Sequence, residues 1–394
     1  MQLVISVADK MILTLLIAFF SLIVLMIIHE FGHFIIAKKF GVKVEEFGIG
    51  YPPKIFSKKF GETEYSLNLI PLGAFVKIYG EEGLDARDSR EAGAPVLGVD
   101  DYRSFANLAI WKRILIVLGG VIAFWVGAVI IFSVAFGIGA NVPIGDQDVI
   151  GITSTQVIII NVLPNSPAEI SGLKSGDDII RATSNDQEVK INKISDFQKF
   201  IQDNKGKTIT LGIKRQGNDM EFNLIPRVSY PEDQGPTGVS LERIANVINK
   251  YPWYEAPLKG IMYTGEVTWQ ALVGIFNVVS GLIKGSGLPQ GAEVAGPVGI
   301  TIFLSKAADF GPGFFLYFIG SLSVLLAIFN LFPIPALDGG KLLFLIIEKI
   351  QKKPVPVKWE QGLTIFFFFV LITMSIFITV KFDVPRVVDL WNTN

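Results

Sequence analysis

The chain has 394 residues, half of them hydrophobic, and a formal net charge of −1. So balanced a charge leaves no electrostatic footprint for a phosphate backbone, and we expect no nucleic acid among its partners. The absence of cysteine excludes disulfides and thiolate catalysis, leaving histidine and carboxylate as strong zinc ligands.

Residues 11–37 form the first apolar run, longer than the roughly 20 helical residues needed to cross a bilayer core. Lys38, Lys39 and Lys43 follow it and only Lys10 precedes it, which predicts a retained span with its N-terminus facing out. In the inner loop, alternation on both sides of Pro71-Leu72-Gly73 predicts a β-hairpin over 65–78, apolar enough to dip into the bilayer. Residues 83–101 are polar and acidic and read as a loop. A second run, about 114–138, follows Arg103, Lys112 and Arg113 and returns outward.

The stretch 150–229 is polar, with β-rich segments such as 156–160 and turn signals such as Pro164-Asn165-Ser166-Pro167, and predicts a small α/β domain outside the membrane. Residues 245–300 form a connecting segment; its 245–290 part mixes Tyr, Trp and Gly among apolar residues and reads as interfacial or as a short unpaired helix. A third run begins near Phe314, breaks between Asn330 and Gly340, and resumes to about Ile350. Lys349, Lys352, Lys353 and Lys358 precede a fourth run, about 361–380. The expected organisation is two spans in 1–140, an outer domain at 150–229, the connector at 245–300 and two further spans in 301–394. Both termini would then face out.

His29-Glu30-Phe31-Gly32-His33 falls within the first run, where residues four apart share a helix face and can share one zinc. Glu30, next to the first histidine, is placed to take a proton from the attacking water and pass it to the leaving amine. These are the chain's only two histidines, and random scattering would give this spacing with the glutamate in roughly one such chain in four thousand. Zinc in hydrolases takes three protein ligands, so the third must be a carboxylate. Asp338 is the candidate, because it sits in the broken third run where proline and glycine can turn it toward the metal. At 1.5 Å per residue, His29 lies about 27 Å along the helix from Met11, and Asn330 about 24 Å from Phe314, so the two sites meet at similar depth. Two other readings stay open: a membrane scaffold, distinguished by lacking zinc, and an ion transporter using the buried ligands as a relay.

These residues resemble the site-2 protease family of intramembrane zinc metalloproteases, more closely its bacterial regulator of sigma-E branch. His29 to His33 matches the family's His-Glu-x-Gly-His, and Asn330 through Gly339 its Asn-x-x-Pro-x-x-x-Leu-Asp-Gly. Gly296-Pro297-Val298-Gly299-Ile300 matches a further segment, Glu64 to Lys77 resembles its membrane-dipping hairpin, and 150–229 resembles its outer PDZ domain. Where the family usually has Gly-Pro-x-x-Asn, this chain reads Gly119-Gly120-Val121-Ile122-Ala123.

The resemblance implies a multi-pass α-helical membrane protein with four transmembrane helices, a membrane-dipping β-hairpin and one extracytoplasmic PDZ-like domain. It implies one Zn2+ held by His29, His33 and Asp338, with Glu30 as general base and acid and Asn330 contacting substrate. The hairpin, with Leu69, Gly73 and Ala74 along it, would pair with an unwound substrate segment by strand addition. Substrates would be single-span proteins of the anti-sigma factor or remnant signal peptide type. The PDZ-like domain would contact peptides or ectodomains. The setting would be the inner, cytoplasmic membrane, with the zinc site toward the cytoplasmic side.

Overall fold

The computed structural model describes residues 7–81, 103–139, 142–143, 154–185, 187–215, 217–230, 234–246, 251–285, 294–309 and 311–387. The acidic loop read at 83–101 lies outside the described residues.

Helix α1 runs Val7–Lys39, unbroken because its apolar run holds no proline and no glycine before Gly32. Strands β1, Val44–Phe60, and β2, Thr63–Ile78, turn at Gly61, whose φ of 63° suits glycine. The expected reversal at Pro71-Leu72-Gly73 does not occur. Residues 63–68 pair with 54–60, the stretch 64–70 also lies beside 46–51, and 74–78 pair with the other side of 44–49. Tyr65–Ile70 and Ala74–Ile78 therefore flank a common strand and do not pair with each other. Pro71 cannot donate to a ladder and Gly73, at φ 125°, redirects the chain past Tyr51.

Helix α2, Ile110–Ile138, crosses α1 at close range. A Cβ on Gly32 would stand 2.2 Å from the Gly119 carbonyl oxygen, so only glycine permits this approach. Ala37, Val42, Val44, Ile78, Ile116 and Val117 pack into one cluster that seats the base of the β1–β2 unit against α1 and α2.

The larger sheet has the order β3-β9-β4-β5-β7-β8 with β6 on β5. Its strands are β3 (Val142–Pro143), β4 (Ser154–Val162), β5 (Asp178–Ser184), β6 (Gln187–Lys190), β7 (Ile209–Arg215), β8 (Asn218–Leu224) and β9 (Val239–Asn246). Helix α3, Pro167–Ile170, and helix α4, Ile194–Asp203, complete the unit, α4 burying Phe197, Phe200 and Ile201 against Val157, Leu211 and Ile213. Fully buried Asp177 accepts two bonds from Arg215, at 2.6 and 2.7 Å, and fixes the turn beneath them. The unit thus extends beyond the expected end at 229, because β9 covers the edge of β4 from Ser154 to Val162.

Among the described residues, five helices are long and apolar enough to cross a membrane, judged by length and composition: Leu13–Lys39 of α1, α2, α5 (Ala256–Lys284), α7 (Pro312–Asn330) and Val357–Val387, which contains α9 (Val357–Ile378). Four were expected, and the addition is α5, the least apolar of the five. Between α5 and α7 lies α6, Pro297–Asp309. Asp383, in the π-turn Thr379–Asp383 that follows α9, is fully buried and accepts a 3.0 Å bond from the Gly296 amide ahead of α6. Side chains at Gly296 or Gly299 would collide with its carboxylate at 2.5 and 2.4 Å, which accounts for the glycines of Gly296-Pro297-Val298-Gly299.

The sheet rests on α6 and α7 through Ile158 and Ile244 against Ala307 and Phe314. Glu242 shares the Ile244 face of β9 by strand alternation, and burial pushes its carboxyl up to about 7 from 4.5. An acid whose pKa is raised by folding loses stability as pH rises from about 4.5 to 7. Glu242→Gln is therefore expected to flatten that decline in thermal unfolding and to stabilise the protein above pH 7; equal slopes in both proteins would contradict this.

Candidate metal centre

The third run breaks as its punctuation predicts. Helix α7 ends at Asn330, residues 331–337 turn through Pro333 and Pro335, and α8, Asp338–Gln351, starts on the acidic residue. Its first turn backs tightly onto that segment: a Cβ on Gly339 would lie 2.2 Å from the Phe332 oxygen, and one on Gly340 2.3 Å from the Ile334 oxygen. The two glycines thus let Asp338 approach α1.

There, His29 Nε2 and His33 Nε2 lie 3.3 Å apart, and Asp338 Oδ2 lies 3.4 Å from the first and 3.3 Å from the second. The three atoms form a nearly equilateral triangle. Tetrahedral bonds of about 2.0–2.1 Å from a central zinc place neighbouring ligand atoms about 3.3–3.4 Å apart, so the donors fit the ion in spacing as well as in type. Asp338 Oδ2 is buried without a hydrogen bond of acceptable geometry, although both imidazoles are beside it. His33 Nδ1 lies 2.9 Å from the Ile116 carbonyl oxygen; donation there leaves Nε2 as a lone pair aimed at the other two donors. The Phe124 ring stacks on His29 at 4.6 Å between centroids. Both histidines are buried. Glu30 is half-buried beside His29, outside the triangle.

Of the other site candidates, Asn330 donates its side-chain amide to the Leu326 carbonyl at 2.9 Å and so closes its own helix. Leu69 is exposed on β2, while Ala74 is buried and pairs with Ile49. Gly73 passes α1 so closely that a Cβ there would lie 3.9 Å from the Met26 terminal methyl. Sequence reasoning missed Gly120: a Cβ at this position would stand 2.3 Å from His33 Nε2 and 2.4 Å from His29 Cε1. The only signal was the departure from Gly-Pro-x-x-Asn. Glu348, another carboxylate of the third run, gives a two-pronged ion pair to Arg113 at 2.7 and 3.0 Å and is occupied there.

Apolar helices that bring two imidazoles and a carboxylate together define a membrane metalloprotease as the class. The chain belongs to peptidase family M50, the site-2 proteases, whose pattern matches residues 17–374. It is 33% identical over 366 residues to a protein of Clostridium perfringens named as a zinc metalloprotease, covering 93% of this chain and 96% of that one. A Rickettsia conorii protein named in the same way is 32% identical, covering 89% of this chain and 94% of that one. The regulator of sigma-E protease RseP of Escherichia coli is 27% identical, covering 84% and 90% respectively. The chain is a zinc metalloprotease with apolar helices able to span a membrane.

Proposed function

We propose that this protein hydrolyses peptide bonds in unwound transmembrane segments of single-span membrane proteins, with His29, His33 and Asp338 holding one zinc ion and Glu30 as general base and acid. The triangle of 3.3–3.4 Å between the three donor atoms carries the reading. Zinc at such a centre supplies a Lewis acid that polarises the scissile carbonyl and acidifies water. Glu30 takes the proton of the attacking water as its oxygen bonds to the carbonyl carbon; the carboxyl then returns the proton to the amide nitrogen as the C–N bond breaks. The Ile116 carbonyl holds the tautomer and orientation of His33.

Substrate must arrive extended, because a helix shields its own peptide bonds. Residues 74–78 pair on one side with 44–49 and with no other described strand, so they offer an edge for strand addition beside α1. Ala74 begins this edge, Gly73 precedes it and Leu69 lies on the neighbouring stretch of β2; together they bound the docking site, and Asn330 keeps its amide oxygen for substrate. The sheet of β3 to β9, with α3 and α4, acts as a PDZ-like module toward ectodomains or their trimmed ends. With α1, α2, α7 and α9 as the crossing helices and the less apolar α5 beside the bilayer without crossing it, the lysines after α1 and between α8 and α9 favour a cytoplasmic-membrane topology with the zinc site on the inner side and both termini out.

Glu30→Gln tests the chemistry, since its amide cannot take the water's proton. Stoichiometric zinc with cleavage reduced by about 10²–10⁴-fold is expected. Substantial cleavage by the purified variant would remove Glu30 from this role.

A further inference from the structure

Lys341 follows Asp338 by three residues on α8, about 4.5 Å along the axis and on the same face. Its ammonium donates to Glu81 at 2.6 Å. Glu81 follows Ile78, the last residue of β2, by three positions. One ion pair between residues 260 positions apart therefore joins the helix that begins at Asp338 to the end of the 74–78 edge. The lysine side chain is 46% exposed and the glutamate 17%, and a pair with one partner half open to water adds little to stability. Both residues line a cavity of mixed character, shared with Arg113, Glu348 and Glu360 on its charged side and with Phe105, Val117 and Phe344 on its apolar side.

The base of the β1–β2 unit is already tied to α1 by Lys38 on Glu62, at 2.5 Å, and to residues before α2 by the Phe105 amide on the Tyr79 carbonyl, at 2.9 Å. The Lys341–Glu81 pair adds a polar tie to the third element, the one that carries the carboxylate of the triangle. One residue of slip along a strand is about 3.3 Å, so small movements of this edge relative to Asp338 change which peptide bond meets the metal.

We propose that Glu81 and Lys341 form a clasp that fixes the register of a bound substrate strand against Asp338, and are specificity-determining positioning residues. The clasp acts on a substrate docked along 74–78 and rests on that reading. It sets where and how well the substrate sits, and leaves zinc and Glu30 untouched.

The test uses detergent-purified full-length protein, a single-span reporter, mass spectrometry of the products and zinc analysis. Lys341→Met and Glu81→Gln are expected to keep zinc, to raise KM by about fivefold, the ceiling for a half-exposed pair, and to add cuts at neighbouring bonds. The charge-exchanged double variant, Glu81→Lys with Lys341→Glu, is expected to restore the single cut. A unique cysteine placed at Val76, in a chain that has none, reports docking by cross-linking to the reporter. Unchanged cut position and KM in both single variants, with the cross-link formed, would overturn the clasp. A missing cross-link with wild-type cleavage intact would overturn the docking reading instead, and with it the clasp. Loss of zinc in either single variant would contradict a role confined to positioning.

Discussion

Asp338→Ala is expected to yield folded protein without zinc and without hydrolysis. The residue begins α8, where an acidic side chain near the helix N-terminus contributes only about 0.3–1 kcal/mol, so the helix survives its loss. Its Oδ2 is the third corner of the donor triangle, 3.4 and 3.3 Å from the two imidazole nitrogens. Losing a residue that merely orients a ligand costs about 10–100-fold in metal affinity, and losing a ligand costs more. Metal analysis beside reporter cleavage checks the result. Glu348→Ala separates ligand loss from general damage: it should keep zinc, yet lose about 3–5 kcal/mol of stability by leaving Arg113 buried without its counter-ion. Zinc retained in Asp338→Ala and lost in Glu348→Ala would reverse the assignment.

Gly120→Val should have an effect of similar size without removing any donor atom. A Cβ here lies 2.3–2.4 Å from both imidazoles, well inside van der Waals contact, and the rest of valine only adds to the overlap. The rings cannot retreat freely, because Phe124 stacks on His29 and the Ile116 carbonyl holds His33. Overpacking in a well-packed interior typically costs about 1–3 kcal/mol, and displacing either Nε2 breaks the triangle. The expected product is a folded protein with zinc and cleavage both lost. Normal zinc content would mean that the helices part easily and that the close crossing of α1 and α2 does not set the site.

The meeting of His29 and His33 was legible because helical period alone brings them to one face. Asp338 was legible by exclusion, since a chain without cysteine and with two histidines leaves only carboxylates. What stayed hidden depends on contacts distant in sequence. Gly120 has no side chain to attract attention, and its value appears only when α2 is laid against α1. Alternation around Pro71-Leu72-Gly73 suggested a reversal, but the strand that 64–70 and 74–78 share lies at 44–51, before them in the chain. The sheet unit was cut short because β9 pairs back on β4 across nearly eighty residues. Helix α5 escaped the count of spans because Tyr, Thr and Glu266 dilute its apolar run.

The proposed hydrolysis needs one zinc ion at this triangle. The direct measurement is zinc content and reporter cleavage on one sample of detergent-purified wild-type protein as a chelator strips the metal and zinc is returned. Cleavage should fall in proportion to bound zinc, reach background when none remains, and return with about one equivalent per chain. Cleavage that persists in metal-free protein, or that needs a second equivalent, would contradict it.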